Sequence, residues 1–131
     1  MRDLADEISV RVGLNSATIN GATNDGIIID RQGYDSVTFA VQSGTITDGT
    51  WTLSIFEGDA ANLSDGAAAP AASIVGAPTP FLLTDDNAVR KIGYVGGKRY
   101  VRLRISATGQ ATGGVFAAVA VLGHPAFMPA A

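Results

Sequence analysis

The chain has 131 residues, with 9 Lys plus Arg against 12 Asp plus Glu, one His, no Cys and a formal net charge of -3. That length fits one domain burying about two-thirds of its unfolded surface. The lack of cysteine excludes disulfides, thiolate metal sites, iron–sulfur clusters and cysteine nucleophiles.

Ala inflates the apolar fraction, yet Val, Ile, Leu and Phe still supply 34 residues, enough for a folded core. The 16 Gly and the abundance of Val, Ile and Thr favour short strands and tight turns over helices, so an all-β domain is expected. The opening Met1-Arg2-Asp3-Leu4 and the residues after it lack the apolar stretch of a signal peptide. No run reaches the roughly 18 apolar residues of a membrane helix. The expectation is a soluble chain made in the cytoplasm, with no membrane partner.

Residues 1–25 begin with mixed charge and end in turn-rich sequence (Asn20, Gly21, Asn24, Asp25), which reads as an N-terminal docking arm or first strand. A single β domain is expected over 26–123, starting with a short strand at 27–30. Residues 36–43 alternate cleanly, Val37, Phe39 and Val41 against Thr38, Ala40 and Gln42, the period of a half-buried strand. Residues 50–57 repeat the pattern with Trp51, Leu53 and Ile55. The intervening Asp48-Gly49 predicts that these two strands form an antiparallel hairpin.

From 58 to 88 the composition turns to Ala, Gly, Ser, Asp and Pro and predicts mostly loop, either a contact surface or a tolerated insertion. Gly96-Gly97 between 89–95 and 98–106 predicts a type I′ hairpin, whose second arm points Val101, Leu103 and Ile105 one way and Tyr100, Arg102 and Arg104 the other. Residues 115–123 are apolar on both faces and predict a central strand covered on both sides. His124-Pro125 starts a tail over 124–131. The whole predicts an antiparallel β-sandwich or small β-barrel of six to eight short strands, with an N-terminal arm and one long loop.

Convergent catalytic chemistry is missing. His124 has no sequence-local partner, and the run around Gly93–Arg99 lacks the Gly and Ser/Thr of a phosphate loop. Asp59, Asp65, Asp85 and Asp86 lack calcium-loop spacing, so no metal and no cofactor is expected, and the chain reads as not an enzyme. Six of the nine basic residues, Arg90, Lys91, Lys98, Arg99, Arg102 and Arg104, fall on the expected second hairpin of an acidic chain. Such a stripe suits a protein interface. Nucleic acid is disfavoured by the net charge and by the lack of a recognition module, although Tyr94 or Tyr100 could stack on bases.

Four segments taken together resemble a family of small structural proteins of tailed bacteriophages and prophages: Met1-Arg2-Asp3-Leu4, the run VQSGTITDGT at 41–50, GYVGGKRYVR at 93–102 and GGVFAAVAVLGHP at 113–125. The resemblance covers nearly the whole chain, departs at the Ala-rich stretch near 66–72, and carries no catalytic residues. It implies a capsid decoration or cement protein located on the virion, with the major capsid protein as partner. Matching capsid symmetry favours a homotrimer. Interface residues expected on this basis and from charge are Arg2, Leu4, Arg90, Arg99, Arg102, Arg104 and His124. The alternative expectation is a neck- or tail-associated β-sandwich that binds a receptor or glycan, with Trp51 and the long loop as its features. A third is a cytoplasmic binder of a small ligand or nucleic acid.

Overall fold

Alternating apolar residues need a covering layer on one side, and here two sheets of the chain cover each other. The computed structural model describes residues 8–76 and 79–125, with the backbone alone at 124 and 125. Among the described residues ten strands run β1 (Ser9–Ile19), β2 (Thr23–Asp25), β3 (Ile29–Asp30), β4 (Tyr34–Ile46), β5 (Thr50–Gly58), β6 (Ala67–Ala68), β7 (Ile74–Val75), β8 (Val89–Tyr94), β9 (Tyr100–Thr108) and β10 (Gly114–Pro125). A 3₁₀ turn spans Ala71–Ser73.

Sheet A has the order β1-β10-β4-β8-β7, and sheet B has β2-β9-β5-β6 with β3 also paired to β9. Every ladder is antiparallel, and the sheets do not close on each other, so the architecture is a sandwich and not a barrel. Among the described residues no helix is long and apolar enough to cross a membrane.

The predicted alternation holds. Val37, Phe39 and Val41 from sheet A meet Trp51, Ile55, Val101, Leu103 and Ile105 from sheet B, all nearly fully buried. Phe116, Ala118, Ala120 and Leu122 of β10 complete the inner face of sheet A.

Both expected hairpins are corrected. β4 lies in sheet A and β5 in sheet B, and likewise β8 lies in A and β9 in B. Six of the nine connections between consecutive strands cross from one sheet to the other. At 47–49 the connection is held by distant backbone. Thr47 N–H donates to Gly113 O at 2.9 Å, while the Asp48 carboxylate accepts N–H from Thr112 at 3.0 Å and from Gly113 at 2.8 Å. At 95–99, neither Gly96 nor Gly97 takes the positive φ that a type I′ turn requires. Gly96 serves close approach instead, because a Cβ there would stand 2.5 Å from the Tyr94 phenol oxygen. That oxygen accepts the Lys98 N–H at 3.0 Å.

The stretch 58–88 is mostly loop, with the two-residue β6 and β7 and the 3₁₀ turn as its regular pieces, and it carries the chain from the edge of sheet B to the edge of sheet A. Leu63 and Phe81 from this stretch are buried. β10 does sit between β1 and β4, but it is covered on its inner side only, since Val119 remains 41% exposed. Its strand also continues through His124 and Pro125, with Pro125 opposite Tyr34, because a proline is tolerated at a strand end.

Candidate interaction face on sheet B

The outer face of sheet B is built around β9. Its inward residues are Val101, Leu103, Ile105 and Ala107, so strand alternation turns Tyr100, Arg102, Arg104 and Ser106 outward. β5 lies beside it and places Ser54 opposite Arg104 and Phe56 opposite Arg102. On the other flank, β2 places Asp25 opposite Arg104.

That register creates the site. Arg104 grips Asp25 with two parallel hydrogen bonds, Nε to Oδ1 at 2.6 Å and Nη2 to Oδ2 at 3.2 Å, and its guanidinium lies 3.7 Å from the centre of the Phe56 ring. Arg102 Nη2 stands 3.4 Å from the same carboxylate. Two guanidiniums therefore share one Asp, both of whose oxygens already accept from Arg104. Arg102 Nε is enclosed and has no hydrogen-bond partner among the described residues. The Asp25 carboxyl is held below its usual range chiefly by the hydrogen bond from Arg104, against a desolvation that pushes it up, with Arg102 reinforcing the drop.

The same logic recurs at the end of β9. Arg99 makes a bidentate contact with Asp30 at 2.9 and 2.8 Å and lies 5.0 Å over the Tyr100 ring. Hydrogen bonding from Arg99 lowers the Asp30 pKa and raises that of Arg99. Lys98 pairs with Asp59 at 2.9 Å.

The residues expected from sequence are therefore divided. Arg99, Arg102 and Arg104 do share one face. Arg90 does not belong to it: it lies on β8 in sheet A, over the Phe81 ring at 4.7 Å, bonded to Thr79 O at 3.1 Å and paired with Asp85 at 3.3 Å. It holds the 79–85 segment against the core. Arg2 and Leu4 lie outside the described residues, as does the side chain of His124. Tyr94 and Trp51 are fully buried, which removes the first from base stacking and the second from any glycan platform. Asp25, Asp30 and Phe56 were not singled out from sequence, because only the β2, β3 and β5 registers bring them to β9. Among the described residues no group of three or more His, Cys, Asp or Glu is gathered to hold a metal.

No family model matches the chain, and no curated protein matches it. Among solved structures, the chain is similar in fold to the SPBc2 prophage-derived protein YomS, with a TM-score of 0.53 and 14% identity over 89% of this chain and 94% of that one.

Proposed function

We propose that the chain is a bacteriophage virion structural protein, and most specifically a capsid decoration protein that binds the major capsid protein lattice and reinforces the DNA-filled head. The observation that carries the reading is the arginine-rich outer face of sheet B. Arg102 shares the Asp25 carboxylate with Arg104, its Nη2 standing 3.4 Å away, and its side chain stays 23% exposed on this face, where it can meet an acidic surface. A rigid sandwich behind the face suits repeated, individually weak contacts that a lattice makes strong by multivalency. The fold shared with a prophage-derived protein supports a phage setting.

The test is the copy number in purified particles, measured by mass spectrometry against the major capsid protein, for the wild type and for Arg102→Glu. A ratio near one, cut by the variant while its circular dichroism stays native, supports cementing through this face. Undiminished occupancy removes the face from the interface. A handful of copies per particle moves the protein to the neck or tail, and absence ends the virion reading.

A further inference from the structure

A strand at the edge of a sheet leaves every second residue with an N–H and a C=O that need a partner. On β8 the direction of these groups is fixed at both ends. Ala88 O accepts from Ser43 N–H of β4 at 2.9 Å, and Val95 N–H donates to Ser73 O, just ahead of β7, at 2.9 Å. Backbone groups alternate along a strand, so Arg90, Ile92 and Tyr94 serve β4, while Val89, Lys91 and Gly93 face the opposite side. There β7 supplies only two residues, Ile74 opposite Tyr94 and Val75 opposite Gly93. Gly76, at a φ of 72°, then ends the extended run. When the chain returns, Thr79 O is bound by Arg90 Nε at 3.1 Å and not by the Val89 backbone. Val89 and Lys91 therefore carry four backbone groups with no partner strand among the described residues. Beside them lies an open hollow of about 810 Å³, bounded by Lys91, Gly93, Val75 and Thr38.

We infer that this edge of sheet A accepts an extended segment of a different protein as an added strand, with an acidic residue opposite Lys91. The inference stands apart from the capsid reading, because it names the partner's chemistry and not its place in a particle. Three observations define the occupant. Two donors and two acceptors spaced along one edge are matched by another peptide backbone, and by no small ligand of a single polarity. The Lys91 side chain is exposed and has no ion pair among the described residues, and an opposite charge directly across a strand pair is favourable. Val89, on the same face and 64% exposed, suits an aliphatic residue two positions further along the added strand. A second copy of β8 does not meet these terms. Pairing Val89 with Lys91 across a twofold axis sets the two Arg90 residues directly opposite each other, and like charges so placed destabilise. Lys91 thus keeps the edge from pairing with its own kind and leaves it open to an acidic strand.

Amide hydrogen exchange and NMR titration of the isotope-labelled full chain test this. In the free chain the Lys91 and Val89 amides should exchange at least about tenfold faster than those of Arg90 and Ile92, which serve β4. The probe is the peptide Thr-Glu-Thr-Val-Thr, acetylated and amidated at its ends. It should move the Lys91 and Val89 amide resonances with a dissociation constant of about 1 mM, as expected of a few hydrogen bonds and one charge pair. The same peptide N-methylated at its Glu keeps the charge but loses one donor, and it should bind at least about tenfold more weakly. In Lys91→Glu, an exposed position whose substitution keeps the fold, a peptide with Lys in place of Glu should bind more tightly than the original. Slow exchange of Lys91 and Val89 in the free chain overturns the inference, because the edge is then already covered. So does an unmoved spectrum at about 10 mM peptide, or equal binding of the N-methylated peptide, which reduces the contact to charge attraction. Protection of the two amides by rising protein concentration alone assigns the edge to a second copy and overturns it as well.

Discussion

Trp51 and Phe81, thirty positions apart, exchange both backbone hydrogen bonds: Trp51 N–H donates to Phe81 O at 2.9 Å and Phe81 N–H to Trp51 O at 2.8 Å. Their side chains meet again on Phe116, with ring centres 5.1 Å from Trp51 and 5.2 Å from Phe81. One isolated bridge thus fastens the 58–88 segment to sheet B, and its aromatic side chain fastens it to β10 of sheet A.

Phe81→Ala removes a fully buried ring at this junction, and a cost of about 3–5 kcal/mol is expected for such a truncation. Chemical denaturation measures it. Limited proteolysis should also cut the variant within 58–88 faster than the wild type, because Arg90 loses the ring it covers. Equal cleavage rates in the two proteins would show that the segment is held independently of Phe81.

Gly113 and Gly109 both have positive φ, at 98° and 72°, but their surroundings differ. A Cβ on Gly113 would stand 2.0 Å from Ile19 O, whereas one on Gly109 meets nothing within 4 Å. Gly109→Ala should cost about 1 kcal/mol from backbone strain alone. Gly113→Ala must also displace β1 and should cost at least twice as much, or prevent folding. Urea midpoints of the two variants decide it, and equal losses would contradict the steric account.

Acid should unfold the protein through its ordered carboxylates. Asp25 and Asp30 are held low by hydrogen bonds from Arg104 and Arg99, Asp48 by backbone N–H of Thr112 and Gly113, and Asp65 by backbone N–H of Asp59 and Ala60. A pKa lowered by folding means that the unfolded chain binds protons first. The stabilisation is therefore fully present above the ordinary carboxylate range, near pH 4, and is lost as pH falls through the lower folded values. Asp48→Asn should lower Tm at neutral pH and flatten the decline of Tm on acidification. A parallel shift of the whole curve would place the acid sensitivity elsewhere.

Trp51 is the single tryptophan, fully buried, with its indole Nε1 donating to Asp48 O at 3.0 Å. Its fluorescence should be blue-shifted in the native state and unmoved by added oligosaccharides. A red-shifted native spectrum, or quenching by a glycan, would return this residue to a binding role.

What the sequence determined is the inward and outward assignment within each long strand, because side-chain direction alternates with a strictly local period of two. Val37, Phe39 and Val41, then Trp51, Leu53 and Ile55, then Val101, Leu103 and Ile105 are all buried as their alternation requires, and Arg102 and Arg104 face outward on the same principle. Only the tertiary structure decided which sheet each strand joins. A strand folded back beside its neighbour and one arched over it present the same alternation, and the choice here rests on contacts far along the chain, such as Asp48 with Gly113. Sheet membership in turn set the register that brings Asp25 to Arg104, and it left Val119 facing outward on a strand whose apolar residues on both sides predicted full cover.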